Sequence, residues 1–198
     1  MSIQYRKRFK RPIANTVLTL DISGSMAQHI TGFNGCRERK IDVLKKAAGM
    51  LIENKCRNMP KDLVGAVLFG SCANVLFKLT PPNSTWLYKR LHNIRLEGTT
   101  NMEAGLMLAI TLLEQRNPRF LRNIVLLSDG IPNSNSNLIP LAQKAKKYRI
   151  NIHTIGFGES RFDFDEALLK SIAHTTHRGQ YQHCCTLQEL ANTLIRFS

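Results

Sequence analysis

The hydrophobic positions of this chain alternate between two periods. "VLTL" (17–20) is a short apolar-rich run and reads as a buried strand. Ile41, Leu44, Ala48 and Leu51, with Ala47 beside them, then fall on one helical stripe, with Lys45, Lys46 and Glu53 off it. "LVGAVLFG" (63–70) is a second strand. "ANVLFKL" (73–79) follows too closely for a crossover helix, so it pairs antiparallel, as a hairpin at one side of the sheet. Trp86 to Ile94 gives a weaker helix, and Met102, Leu106, Ala109, Ile110 and Leu113 a strong one. "NIVLLS" (123–128) is a third buried strand. A helix follows from about Leu138 to Tyr148, with Pro140 tolerated in its first turn. "INIHTIGFG" (150–158), a helix from Phe164 to Thr175, the short strand "GQYQHC" and a closing helix from Leu187 to Phe197 complete the pattern.

Repeated strand–helix–strand units predict an α/β fold, a doubly wound and mostly parallel sheet with helices on both faces and one antiparallel edge strand. Six strands are expected. In such sheets ligands bind beyond the carboxyl ends of the strands, near the point where the strand order reverses. Asp21 closes the first strand and Asp129 follows the strand at 123–128, so both acids belong on that rim.

Composition adds bounds. The 198 residues suit one domain and bury enough surface to fold without staples. No apolar run approaches the roughly 20 residues that cross a bilayer, and no apolar stretch of signal-peptide type follows the basic start, so a cytoplasmic protein is expected. Five cysteines (Cys36, Cys56, Cys72, Cys184, Cys185) lack framework spacing and read as reduced thiols. The formal charge is +14. Arg6, Lys7, Arg8, Lys10 and Arg11 crowd residues 1–12, read as a basic flexible segment ahead of a domain over 13–198. The charge implies attraction to nucleic acid, acidic protein surfaces or anionic lipid, without choosing among them.

Chemistry enters through oxygen. Asp21, Ser23 and Ser25 in "DISGS", a threonine of "LEGTTNMEAGL" (96–106) just before a helix, and Asp129 are all hard oxygen donors, suited to Mg²⁺, Mn²⁺ or Ca²⁺. The order Asp-x-Ser-x-Ser, Gly-x-Thr before a helix and Ser-Asp-Gly after a strand resembles the metal-ion-dependent adhesion site of the von Willebrand factor A (VWA) family. It reads here as "DISGS" (21–25), "GTTNM" (98–102) and "SDG" (128–130). The likeness spans about residues 13–198 and implies a Rossmann-like VWA fold of the stand-alone intracellular type. It selects Thr100 over Thr99 as the family's threonine. It implies that Ser23, Ser25 and Thr100 coordinate Mg²⁺ (Mn²⁺ or Ca²⁺ as alternatives), that one or both acids act through water, and that one position stays open. A partner's Asp or Glu fills that vacancy, so the metal joins two surfaces and catalyses nothing.

The stretch "MAQHITGFNGCRERK" is longer than the family's usual link and is expected beside the metal, where Arg37, Arg39 and Lys40 form either a lip steering an acidic partner or a solvated insertion. The histidines of "HTTH" (174–177) and "HCC" (183–185) read as solvated or core-satisfied and not as zinc ligands. An enzyme is not expected. An Asp-x-Asp phosphatase pattern fails because Ser23 replaces the second acid, and no G-x-S-x-G or phosphate-binding P-loop appears. Family-level association points to an adaptor for an AAA+ ATPase or a member of a tellurium-resistance-type system. The alternative is a nucleic-acid-binding VWA protein that uses its basic surface.

Overall fold

In the computed structural model, residues 12–31, 35–83, 85–132 and 137–198 are described. The basic segment expected over 1–12 therefore lies outside the described residues, apart from Pro12. A six-stranded sheet runs in the order β5-β4-β1-β6-β7-β8. It comprises β1 (Ala14–Asp21), β4 (Leu63–Phe69), β5 (Ala73–Thr80), β6 (Leu121–Ser128), β7 (Asn151–Phe157) and β8 (Tyr181–Cys184). Every pairing is parallel except β4 with β5, the edge hairpin read from the short "GSC" link. The central strands carry apolar side chains on both faces because helices cover both; all eight residues of β1 are buried.

One face carries α1 (Lys40–Asn58), α2 (Thr85–His92) and α6 (Leu187–Phe197). Leu44, Leu51, Leu190 and Leu194 pack there against Leu18 and Leu20. The other carries α3 (Met102–Glu114), α4 (Leu138–Lys147) and α5 (Glu166–Thr175), packing Leu106, Ile110 and Ile172 on Val17, Ile124 and Ile152. Pro140 sits in the first turn of α4, where its missing N–H costs no helical bond.

The insertion differs from a plain loop. A 3₁₀ turn (Gly24–Ala27) leads into a two-stranded antiparallel ribbon, β2 (His29–Thr31) with β3 (Arg37–Arg39). Two buried anchors hold it down, Met26 and Ile30, both wholly inaccessible. They lie too far apart in a polar stretch to give a readable period.

β1 and β6 are neighbours, yet the chain leaves β1 toward β4 on one side and returns through β6 on the other. Their carboxyl ends mark the reversal point, where a crevice opens.

Candidate metal centre

Three loops meet at this crevice, and their backbones are tied together. Ile22 N donates to Phe69 O, Glu97 N to Ile22 O, and Gly24 N to Gly98 O at 2.9, 2.7 and 3.0 Å. Gly98 has φ +52°, and a Cβ there would stand 1.8 Å from Ser71 Oγ. Only glycine fits this left-handed, crowded turn. Two residues on, Thr100 is nearly buried; Asn101 caps α3 by accepting from Ala104 N at 3.1 Å.

Asp21 is fully buried at the end of β1. Its Oδ1 accepts from Ser23 N at 2.9 Å and its Oδ2 from Ser128 Oγ at 2.7 Å. Above it, Ser23 Oγ and Ser25 Oγ are 2.9 Å apart, and Ser25 Oγ donates to Asp129 Oδ1 at 2.7 Å. Ser25 Oγ and Thr100 Oγ1 lie 3.4 and 3.5 Å from where a Cβ on Gly130 would stand. Side chains of Ser23, Ser25, Thr100 and Asp129 thus line one cavity of about 410 Å³, with Asp21 beneath it. The structure brings together all five residues singled out in the sequence.

The predicted lip divides. Arg37 and Arg39 are exposed on β3; Arg37 pairs with Glu159, and Arg39 Nε with Asp42 at 2.7 Å. Lys40, expected beside them on the surface, is 2% exposed and points inward instead. Its Nζ lies 3.0 Å from Asp129 Oδ2 and 3.0 Å from Gln28 Oε1. It opens α1, and the short ribbon before it turns its stem toward the sheet. Sequence reasoning also passed over Gln28 and Asp163, which line the same cavity, and Ser128, which supports Asp21. Asp163 carried no local signal, since it arrives from the β7–α5 connection.

Burial is the main cause that pushes the Asp21 carboxyl up to about 6, and the nearby Asp129 charge adds to it; the bonds from Ser23 and Ser128 oppose the rise. The ionised carboxylate is therefore short of positive charge. A divalent cation is the compensation that this donor set suits: carboxylate and hydroxyl oxygens, without sulfur or imidazole. Among the described residues, no group of three or more His, Cys, Asp or Glu is placed to hold a metal. The cup instead combines two acids with three neutral hydroxyls. His183 Nε2 bonds Gly158 O at 2.8 Å and His153 stacks on Phe197. All five cysteines are free, and burial pushes Cys184 up to about 11.

A doubly wound sheet with this rim defines a class, and the comparisons agree: the von Willebrand factor type A domain profile matches residues 15–195, so the chain belongs to that family. It is 22% identical over 122 residues to the 26S proteasome non-ATPase regulatory subunit 4 of Drosophila melanogaster, covering 61% of this chain and 31% of that protein. It is 27% identical over 162 residues to the uncharacterized protein sll0103 of Synechocystis, covering 80% and 35%. The chain thus spans about a third of the length of these curated relatives. Among solved structures, BatB from Bacteroides thetaiotaomicron superposes with a TM-score of 0.74 at 17% identity, covering 93% of this chain and 96% of that one. The SpRpn10 VWA domain gives 0.71 at 21%, covering 95% and 96%. These structural likenesses establish the fold alone.

Proposed function

We propose that this chain is a non-enzymatic, divalent-metal-dependent protein-interaction module. Asp21, Ser23, Ser25, Thr100 and Asp129 hold Mg²⁺ in this reading, with Mn²⁺ or Ca²⁺ as substitutes. The cation supplies Lewis acidity and a free coordination position, which suits a carboxylate from another protein. The chain's own residues set the balance. Asp21 and Ser128 form the floor, the hydroxyls donate without neutralising charge, and Gly130 leaves room that a side chain would fill. Arg37 and Arg39, exposed close by, steer an acidic partner.

One observation carries the reading: oxygens from residues 21–25, 100 and 129 converge on a single rim around a cavity of about 410 Å³. The relative named as a 26S proteasome non-ATPase regulatory subunit supports a protein partner. An AAA+ ATPase adaptor, or a tellurium-resistance-type assembly, is the narrower form, and it rests on family-level association. A cytoplasmic site of action belongs to the same reading; among the described residues no helix is long and apolar enough to cross a membrane.

Two measurements test it. Titration of the full chain with Mn²⁺, followed by electron paramagnetic resonance, should show one bound ion in wild type and none in Asp21→Ala. A pull-down from native lysate should retain a partner only with wild type plus Mg²⁺. The same proteins retained by wild type and Asp21→Ala, with metal and with EDTA, would sink the metal bridge.

A further inference from the structure

The amino ends of β6 and β7, with the connection from α5 to β8, form a second cavity, about 290 Å³, on the pole opposite the oxygen cup. Eight residues of β6 separate the two, roughly 25 Å of strand. Arg119, Arg122, Arg149, His177 and Arg178 line it, together with Phe120, and no acid does so among the described residues.

Helix carboxyl ends attract cations, so the plain explanation is capping. It accounts for Arg122, which is 4% exposed and donates to the carbonyls of Arg116 and Tyr148. Hydrogen-bonded capping does not account for the others. Arg119, Arg149 and Arg178 are exposed, and among the described residues their guanidiniums have no hydrogen-bond acceptor and no ion pair. Arg122 also keeps a buried Nε without a partner there.

Arg149 is the most informative of these residues. It follows the end of α4, with its N–H bonded to Lys146 O and that of Ile150 to Ala145 O, both at 2.9 Å. This is the Schellman arrangement, whose left-handed position glycine usually fills. Here an arginine occupies it at φ +54°. The fold alone favours glycine, yet the chain keeps a guanidinium beside Arg122 and Arg178 despite mutual repulsion. Backbone strain of this kind clusters at ligand clamps and active sites.

Two exposed aromatic rings flank the cluster, Phe120 at 37% and Tyr148 at 40%. Lys144, Lys146 and Lys147 crowd the last turn of α4. Cations for phosphates, with rings for bases, are what single strands require.

We propose that this arginine pole binds the phosphodiester backbone of single-stranded nucleic acid, with Phe120 and Tyr148 stacking on bases, independently of the metal cup. The test uses the full chain and a fluorescein-labelled oligouridine of about 16 nucleotides. Anisotropy is read in EDTA between about 50 and 200 mM salt. Wild type should bind, and weaken steeply as salt rises. Arg149→Gly combined with Arg178→Gln should weaken binding roughly tenfold at low salt and flatten the slope by about 1.4, two contacts at ~0.7 each. Arg149→Gly alone should weaken binding while its melting temperature stays within about 4 °C of wild type, which a purely structural arginine would not allow. Phe120→Ala should lower affinity with the slope unchanged. The proposal falls if wild type gives no anisotropy change, if the double variant binds as tightly as wild type, or if phosphatidylserine vesicles are bound and the oligonucleotide is not.

Discussion

Helix α1 carries a buried lysine near each end, and the two ion pairs they make serve opposite purposes. Lys55 lies 2.8 Å from Asp62 Oδ2, with both side chains almost wholly inaccessible. The other oxygen of Asp62 accepts the backbone N–H of Ala14 at 3.0 Å, fastening the start of β1 to the loop after α1. Lys40, about 22 Å along the helix, pairs with Asp129 at 3.0 Å, equally buried. There the second oxygen takes the Ser25 hydroxyl, and the pair borders a cavity lined by Ser23 and Thr100. A buried pair whose second oxygen is committed to the backbone is a fastener. One that shares its carboxylate with a rotatable hydroxyl beside open space can exchange partners.

The largest expected effect falls on the fastener. Asp62→Ala leaves a buried ammonium without its carboxylate and frees the Ala14 N–H, so about 3–5 kcal/mol of stability should be lost. Urea denaturation measures it. A loss below about 1 kcal/mol would mean that the amino end of α1 and its counterpart do not differ as described.

A third buried titratable group sharpens the contrast because it has no carboxylate beside it. His153 is 8% exposed, its ring stacks on Phe197 at 4.6 Å, and its Nδ1 has no partner among the described residues. Burial first, then the Arg196 charge, hold its pKa down at about 4. The unfolded chain takes up the proton from about pH 6.5 downward, while the folded chain resists it until about pH 4. Stability is therefore lost across that window as pH falls. At ~1.36 kcal/mol per unit, His153→Phe should gain about 3 kcal/mol on wild type between pH 7 and pH 4. The comparison must be with the variant, because Asp21, raised to about 6, shifts the wild-type curve the other way. A constant difference between the two proteins would refute the assignment.

Lys40→Met addresses the exchangeable pair. Removing its charge leaves Asp129 and Asp21 to share the cavity without a resident cation. The proposed metal should then bind roughly tenfold tighter, about 1.4 kcal/mol, and Mg²⁺ should raise the melting temperature more in the variant than in wild type. Equal Mg²⁺ affinity in the two proteins would show that the lysine does not compete. Binding by neither would remove the metal reading itself.

Much of this was legible from the sequence. The period of each apolar run located the six sheet strands, and the three-residue link after Phe69 imposed the antiparallel edge. The order of "DISGS", "GTTNM" and "SDG" placed five oxygen-bearing residues on one rim, because strand ends in a doubly wound sheet share a pole. The ribbon β2–β3 was not legible, since two separated anchors, Met26 and Ile30, make no period. Lys40 was misplaced for a related reason. A lysine that starts a helix after Arg37 and Arg39 looks like one more surface cation, and only the turn of the ribbon directs it inward. The arginine pole was invisible because its members come from three connections. The left-handed backbone of Arg149 leaves no mark in composition.

That backbone yields the smallest effect and the cleanest separation of fold from ligand. A non-glycine residue in the left-handed region costs roughly 1 kcal/mol. Arg149→Gly relieves that strain and also removes a cation pressed against Arg122, whose guanidinium is held below its ordinary value by burial and by Arg149. Against this, glycine adds freedom to the unfolded chain, worth ~0.5–1 kcal/mol. The net change should lie within about 1 kcal/mol of zero, and raising salt should shrink it, because the repulsive part is screened at the exposed Arg149. Melting curves at low and high salt would show this. A loss of several kcal/mol would mean that the Arg149 side chain supports the fold, and the two poles would then differ less in kind than the two lysines of α1 suggest.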